Sequence, residues 1–274
     1  MTVRVQDILK SLNILAPFNL AEPWDNVGLL VGNPNQEVTA ILAGLDPTSA
    51  LIDEAIAQGA NTVITHHPVI FKPLQAINTT TLEGRLLEKA LSNRIAIIGC
   101  HTNYDSAPAG VSAILAEQLG LVSLRPLLPT SPEKLPDIGL GRIGDYPAAI
   151  SSNDFMQRVL RVLQLESVQM AGPLPEKIRT VAICGGSGSD LAPQALALGA
   201  QVYLSAEIKH NIAVWANECR FCIIDGSHYA TEKPAVRILV KQLEQICQKE
   251  NWNIRIMETT TECHPFVTKN RSHQ

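Results

Sequence analysis

Ile41-Leu-Ala-Gly-Leu45, a polar turn, a helical stretch ending Gln58-Gly-Ala60, and Thr62-Val-Ile-Thr65 together read as strand, helix, strand. The same order recurs at a constant offset as Val181-Ala-Ile-Cys-Gly185, a Gly/Ser turn, a helical stretch ending Leu198-Gly-Ala200, and Val202-Tyr-Leu-Ser205. Short continuous apolar runs of this kind suit strands buried on both faces, with helices on each side. A third run completes each copy: Arg94-Ile-Ala-Ile-Ile98 in the first and Arg220-Phe-Cys-Ile-Ile224 in the second. The expectation is an α/β chain of two repeated lobes with mixed, mostly parallel sheets and a cleft between them. Gly59 and Gly199 fall just past the turn helices, where a left-handed backbone is wanted. The final helix of each copy is expected to begin near Pro108 and Pro234.

Between the copies, Arg125-Pro-Leu-Leu-Pro-Thr-Ser-Pro-Glu-Lys-Leu-Pro136 holds four prolines and cannot sustain a helix or a central strand. Residues 126–136 are therefore expected to link lobe one, 1–125, to lobe two, 137–274, within one domain. Asn153 to Leu165 has a helical apolar pattern, and the polar tail from Thr259 onward is expected to be frayed.

With 274 residues the chain can bury a substantial core, and its 46% hydrophobic and 18% charged residues exclude large-scale disorder. A balance of 22 basic against 26 acidic residues, without a basic run, disfavours nucleic acid as a partner. The amino terminus lacks a signal-peptide pattern, and no apolar segment approaches the roughly 20 residues that span a bilayer, so a cytoplasmic setting is expected. Of six cysteines, Cys100, Cys184 and Cys222 lie in or beside apolar runs and read as core residues. Cys219 and Cys222 have Cys-x-x-Cys spacing but enter a strand and have no second pair, which weakens a redox or zinc reading.

Chemistry gathers where these strands end. His66 and His67 leave the carboxyl end of one strand, and Pro68 can turn the backbone so that both rings face one cavity. Past the third strand of each copy come His101-Thr-Asn-Tyr-Asp105 and His228-Tyr-Ala-Thr-Glu232, each an imidazole four residues ahead of a carboxylate. Taken singly, the His-His pair reads as rings bonded to backbone, and the carboxylates as helix-start charges worth about 0.3–1 kcal/mol each. Capping does not call for a histidine four residues earlier in both copies, and together the three pairs offer the nitrogen and oxygen ligands of a hydrolytic metal centre. Glu207 occupies the position of His67 in the second copy, and with His210 it reads as a supporting partner, a general base, or an exposed helix-start group. Cys184-Gly-Gly-Ser-Gly-Ser-Asp190 is either a phosphate-cradling loop or a tight turn, and it lacks the P-loop lysine. Asp25 and Asn26 either line the cavity or form a turn.

Trp24-Asp-Asn-Val-Gly-Leu-Leu30, Thr65-His-His-Pro-Val-Ile-Phe71, His101 to Asp105, Gly185-Gly-Ser-Gly188 and His228 to Glu232 resemble, in order, the motifs of the GTP cyclohydrolase 1 type 2 homologue family. These are also called the Nif-three-like dinuclear metal centre hexameric proteins. The resemblance spans nearly the whole chain. It implies a two-lobed α/β protomer, a toroidal homohexamer, and two divalent metal ions per subunit held by His66, His67, Asp105, His228 and Glu232, with Glu232 as bridge. His101 then stands beside them as a proton-transfer or supporting group. Longer relatives carry an inserted middle domain, for which the proline-rich stretch is too short. Two departures are Ser205-Ala206-Glu207, where the family has Thr-Gly-Glu or Thr-Gly-Asp, and Ser227, where it often has glycine.

The implied activity is metal-dependent hydrolysis in which an activated water opens a purine nucleotide ring, with His101 and Glu207 as catalytic proton carriers. A phosphoesterase and a non-catalytic metal-loaded scaffold remain as alternatives, the latter favoured by the scarcity of cations near the motifs beyond Lys72, Arg94 and Lys209. Mixed histidine and carboxylate ligands suit zinc, iron, manganese, cobalt or nickel.

Overall fold

Strands of both copies are buried on two sides because their alternate residues enter different cores. Ile41, Ala43, Ile64 and Ile98 face one core, while Leu42, Val63 and Ile97 face another. In the second copy Val181, Val202, Leu204 and Ile224 face inward, and Ala182, Tyr203 and Ile223 face outward. The structure, a computed structural model, describes residues 2–131, 135–267 and 269.

The first copy comprises α1 (Val5–Leu15), β1 (Gly28–Val31), β2 (Ala40–Gly44), α2 (Ser49–Gln58), β3 (Thr62–Thr65), α3 (Leu82–Ser92), β4 (Ala96–Gly99), α4 (Thr102–Ser106) and α5 (Val111–Gln118). A hairpin of β5 (Val122–Ser131) and β6 (Leu135–Ser151) follows. The second copy comprises α6 (Ser152–Leu163), β7 (Gln169–Ala171), β8 (Lys177–Ser187), α7 (Ala192–Ala197), β9 (Val202–Ala206), α8 (His210–Glu218), β10 (Cys222–Asp225) and α9 (His228–Glu250), and β11 (Arg255–Glu258) closes the chain. Both sheets are mixed, in the orders β1-β4-β3-β2-β11 and β5-β6-β8-β9-β10-β7. β2, β3, β4 and β11 are parallel, as are β8, β9 and β10; β1, β7, β6 and β5 pair antiparallel with their neighbours. The duplication is longer than the sequence reading shows, because α1 and β1 precede β2 as α6 and β7 precede β8. The third strand of each copy carries an antiparallel partner in the same place.

Three expectations are corrected. The proline-rich stretch is not a linker over its described residues: Pro126 lies opposite Arg142 and Pro129 opposite Gly139 in the hairpin. β5 is the sheet edge, paired on one side only, and an edge strand is where a sheet tolerates proline. The final helix of the first copy begins at Val111, three residues past Pro108, but that of the second begins at His228, so Pro234 lies inside α9. Finally, the tail is anchored from Thr259 to His264, and β11 joins β2 of the first sheet. Gly59 and Gly199 do adopt the expected left-handed conformation, with φ of 68° and 84°.

α5 and α9 lie between the sheets and stitch the inner cores together. Val111 and Ile114 of α5 enter one core and Leu115 and Ala116 the other; α9 gives Ala230 to the second core and Val236, Leu239, Val240 and Leu243 to the first. At about 1.5–3 kcal/mol for each buried aliphatic side chain, those last four contribute roughly 6–12 kcal/mol, comparable with the net stability of a whole domain. α9 therefore cannot undock while the fold persists, and its first turn is a fixed platform.

Candidate metal centre

Parallel pairing brings the carboxyl ends of β2, β3 and β4 together, and the amide ladder continues past them. His66 N donates to Gly44 O at 3.2 Å, His67 N to Leu45 O at 2.9 Å, and Cys100 N to Thr65 O at 2.9 Å. His66 and His67, which an extended strand would point to opposite sides, both turn into one cleft with ring centroids 5.1 Å apart. His101 caps α4, and Asp105 follows on it. His228 opens α9 and Glu232 lies one turn on, so both share a helix face.

These side chains form two clusters that share Glu232. His66 Nε2 lies 3.7 Å from Asp105 Oδ1 and 3.6 Å from Glu232 Oε1. On the other carboxylate oxygen, His67 Nε2 and His228 Nε2 each lie 3.1 Å from Glu232 Oε2 and 3.2 Å from one another. The opposite edge of every ring is already engaged: His66 Nδ1 donates to Cys100 O at 2.8 Å, while His67 Nδ1 meets Asp46 at 2.7 Å and His228 Nδ1 meets Glu207 at 3.0 Å. Neutral rings held this way carry their hydrogen on Nδ1, leaving Nε2 lone pairs aimed at carboxylate oxygens. His66 Nε2, Asp105 Oδ1 and Glu232 Oε2 are buried with no hydrogen-bond partner. Converging lone pairs of this kind repel unless a cation joins them, so the donor set fits divalent metal ions of the first transition row.

Protons serve that need when no ion does. Burial alone would lower the His67 and His228 pKa values, but for His67 the Asp46 and Glu232 carboxylates, and for His228 chiefly Glu232, raise them to about 10 and about 9. Burial likewise would raise Glu232, yet the surrounding imidazoles hold it well below its usual range. Metal must therefore displace protons, and affinity falls as pH drops through 9 toward 7. At pH 7, two or more protons are expected to leave each chain on metal uptake, measurable with an indicator in weak buffer; uptake without proton release would contradict this arrangement.

His101 faces the same cleft, its ring centroid 5.2 Å from that of His66. Its Nδ1 lies 2.8 Å from Asp25 Oδ1, while Asp25 Oδ2 accepts from Thr102 N at 3.0 Å and Thr102 Oγ1 at 2.5 Å. Although burial opposes ionisation, bonds from His101 and Thr102 hold Asp25 well below its usual pKa. The Trp-Asp-Asn motif is thus more than a turn: it orients an imidazole. Glu207, at φ 53°, spends one oxygen on His228 and sits where a supporting partner would. His210 is exposed at the start of α8 and does not line the cleft.

The glycine loop is a floor for the cluster, not a phosphate cradle. Gly185 N is taken by Ser112 Oγ, Gly186 N by Thr231 Oγ1, and Gly188 N by Ser205 Oγ. A Cβ at Gly186, where φ is 65°, would lie 2.0 Å from Glu232 Oε1. Gly186→Ala is therefore expected to displace Glu232 and cut metal affinity at least about tenfold, on the scale of losing a ligand's support. Equilibrium dialysis against cobalt would check this, unchanged affinity being the contrary result.

Asp46 and Arg142 escape a reading by motif. Asp46 follows β2, and its partner His67 stands at the end of the next strand; a carboxylate at a neighbouring strand end was the available signal. Arg142 is buried and donates to Gly139 O at 2.6 Å, Gly141 O at 2.7 Å and Ala107 O at 2.5 Å, tying the turn that follows Asp105 to the hairpin. The Cys-x-x-Cys pair does not act together: Cys222 is buried in an inner core and Cys219 is exposed.

Beside the clusters opens a cavity of about 510 Å³. Trp24 and Phe71, edge to face at 5.8 Å, wall it together with Leu140 and Leu191, and among the described residues no lysine or arginine lines it. Against known proteins, residues 3–265 match the family Duf34/NIF3 (NGG1p interacting factor 3). A Streptomyces coelicolor protein named GTP cyclohydrolase 1 type 2 homolog is 32% identical over 267 residues, 96% of this chain and 94% of that one. The crystal structure of the Staphylococcus aureus hypothetical protein SA1388 superposes with a TM-score of 0.90 at 30% identity, covering 98% of this chain and 100% of that one. A Bacillus cereus protein related to NIF3 gives 0.91 at 26% identity with the same coverage. Family match, identity and fold agree: this chain belongs to the Duf34/NIF3 family.

Proposed function

We propose that the chain is a dinuclear metal-dependent hydrolase that opens the ring of a purine-type substrate. The observation that carries the reading is the pair of lone-pair clusters sharing Glu232 beside an aromatic-walled cavity, with the Asp25–His101 dyad turned toward it. His66, Asp105 and Glu232 would hold one ion and His67, His228 and Glu232 the other. Bound there, the two ions would bring the acidity constant of a water toward neutrality and so supply the nucleophile. Asp25 keeps the His101 hydrogen on Nδ1, so Nε2 is free to accept a proton from the attacking water and return it to the departing ring nitrogen. Trp24 and Phe71 offer faces and edges to a flat ring, and the apolar walls exclude water around it.

The relatives' name supports a purine substrate, and the cavity favours ring chemistry over phosphate-ester hydrolysis. Its lining holds no lysine or arginine among the described residues, three glycine-loop amides are engaged internally, and Asp190 is paired with Lys209 at the rim. A polyphosphate tail would have to project outward. Loss of the purine absorbance of GTP and of guanosine, with and without metal, tests this, with formate following where a second water cleaves the formamide that ring opening leaves. Metal-dependent loss of the purine ring in either supports it; fully metallated protein that opens neither, or that releases phosphate instead, defeats it. Assembly as a homohexamer belongs to the same reading, and light scattering should give six times the 29.7 kDa chain. No helix among the described residues is long and apolar enough to cross a membrane.

A further inference from the structure

Beyond β11 the chain crosses the carboxyl end of the first sheet as a fastened strap. Thr259 N donates to Ala43 O at 2.8 Å, and Thr260 donates to Glu54 Oε1 through N at 2.9 Å and Oγ1 at 2.8 Å. The side chain of Glu262 is almost wholly buried. Its Oε1 accepts from Leu45 N at 2.6 Å and Asp46 N at 3.0 Å, and its Oε2 from Lys233 Nζ at 2.7 Å. Gly44 leaves room for this carboxylate, since a Cβ there would meet Glu262 Oε1 at 2.6 Å. Two residues on, His264 Nε2 lies 2.6 Å from Ser227 Oγ. Ser227 caps α9 at φ 67°, a conformation costly for a residue with a side chain, and immediately precedes His228.

The strap thus holds two residues, each next to a candidate ligand by bond or by chain. Asp46, fixed through its amide by Glu262, orients His67; Ser227, held by His264, begins the turn that presents His228. Both imidazoles belong to the same cluster around Glu232 Oε2, whereas His66 leans on Cys100 O and Asp105 sits on α4, neither touched by the strap. We propose that Glu262 and His264 are positioning residues that set the affinity of the His67–His228–Glu232 cluster for its ion and leave the His66–Asp105 cluster unaffected. This rests on the two-ion reading above.

The test is cobalt(II) titration of the full chain against a chromophoric chelator, resolving two affinities, together with the visible spectrum of the bound ion. Glu262→Ala and His264→Ala are expected to weaken one ion by about ten- to hundredfold, the usual effect of removing a supporting partner, with the other ion unchanged. Glu262→Gln should retain most of the affinity, because its carbonyl oxygen can still accept from both amides. Ser227→Gly should match His264→Ala in affinity without lowering the melting temperature, since glycine relieves the strained φ while deleting the hydroxyl. Equal affinities in His264→Ala, Ser227→Gly and wild type overturn the proposal, as does weakening of both ions together; these two variants decide the matter even if Glu262→Ala does not fold. A wild-type chain that takes up no cobalt defeats the two-ion reading and the strap with it.

Discussion

Replacing Glu232 with alanine is expected to strip both ions from the chain. Its carboxylate is shared by both clusters, Oε1 lying 3.6 Å from His66 Nε2 and Oε2 lying 3.1 Å from His67 and His228 Nε2. Loss of a supporting partner costs about 10–100-fold in metal affinity, so loss of the shared ligand should cost more at each position. Bound metal in dialysed protein should fall from about two ions per chain to well under one. The variant also leaves two imidazoles without the carboxylate that supports their protonation, and breaking such a buried pair costs about 3–5 kcal/mol. Glu232→Gln keeps the volume, and its amide retains one acceptor while offering the imidazoles a donor in place of a charge. It too is expected to bind less than one ion. Two ions retained in the glutamine variant would remove Glu232 from the centre.

The second large effect falls on turnover with metal left in place. His101 is not among the atoms grouped on Glu232, and its Nδ1 is held by Asp25. His101→Ala should therefore keep about two ions while ring opening slows by about 10²–10⁴, the range associated with losing a general acid or base. Asp25→Asn is expected to act in the same direction through a different cause. An amide nitrogen facing His101 Nδ1 would favour the other tautomer and put the hydrogen on Nε2, and the limb of the pH profile that reports the base should shift. Full activity in His101→Ala would transfer proton handling elsewhere, Glu207 being the next candidate.

The repeated strands could be read directly, because a strand buried on both faces must be apolar throughout, as Ile95 to Ile98 and Phe221 to Ile224 are. The edges of the sheets could not. β1 and β7 are short, share no residue pattern, and gain their places by pairing. Pro126 and Pro129 look like linker residues until the topology shows that their strand has a free side. The histidine and carboxylate pairs announced themselves because each lies just past its own strand within five residues of chain. Their supports did not, since Asp46 reaches His67 across 21 residues and Glu262 reaches Asp46 across 216. The polarity of Thr259 to His264 suggested a frayed end because the partners that bury those side chains, Glu54, Lys233 and Ser227, are distant in sequence.

Anomalous scattering from crystals grown with cobalt, collected at the metal edge, tests the central claim most directly. Two peaks are predicted, one among His66, Asp105 and Glu232 and the other among His67, His228 and Glu232, at comparable occupancy. A map with no peak in this cleft, or with metal only at ligands elsewhere on the chain, would contradict it.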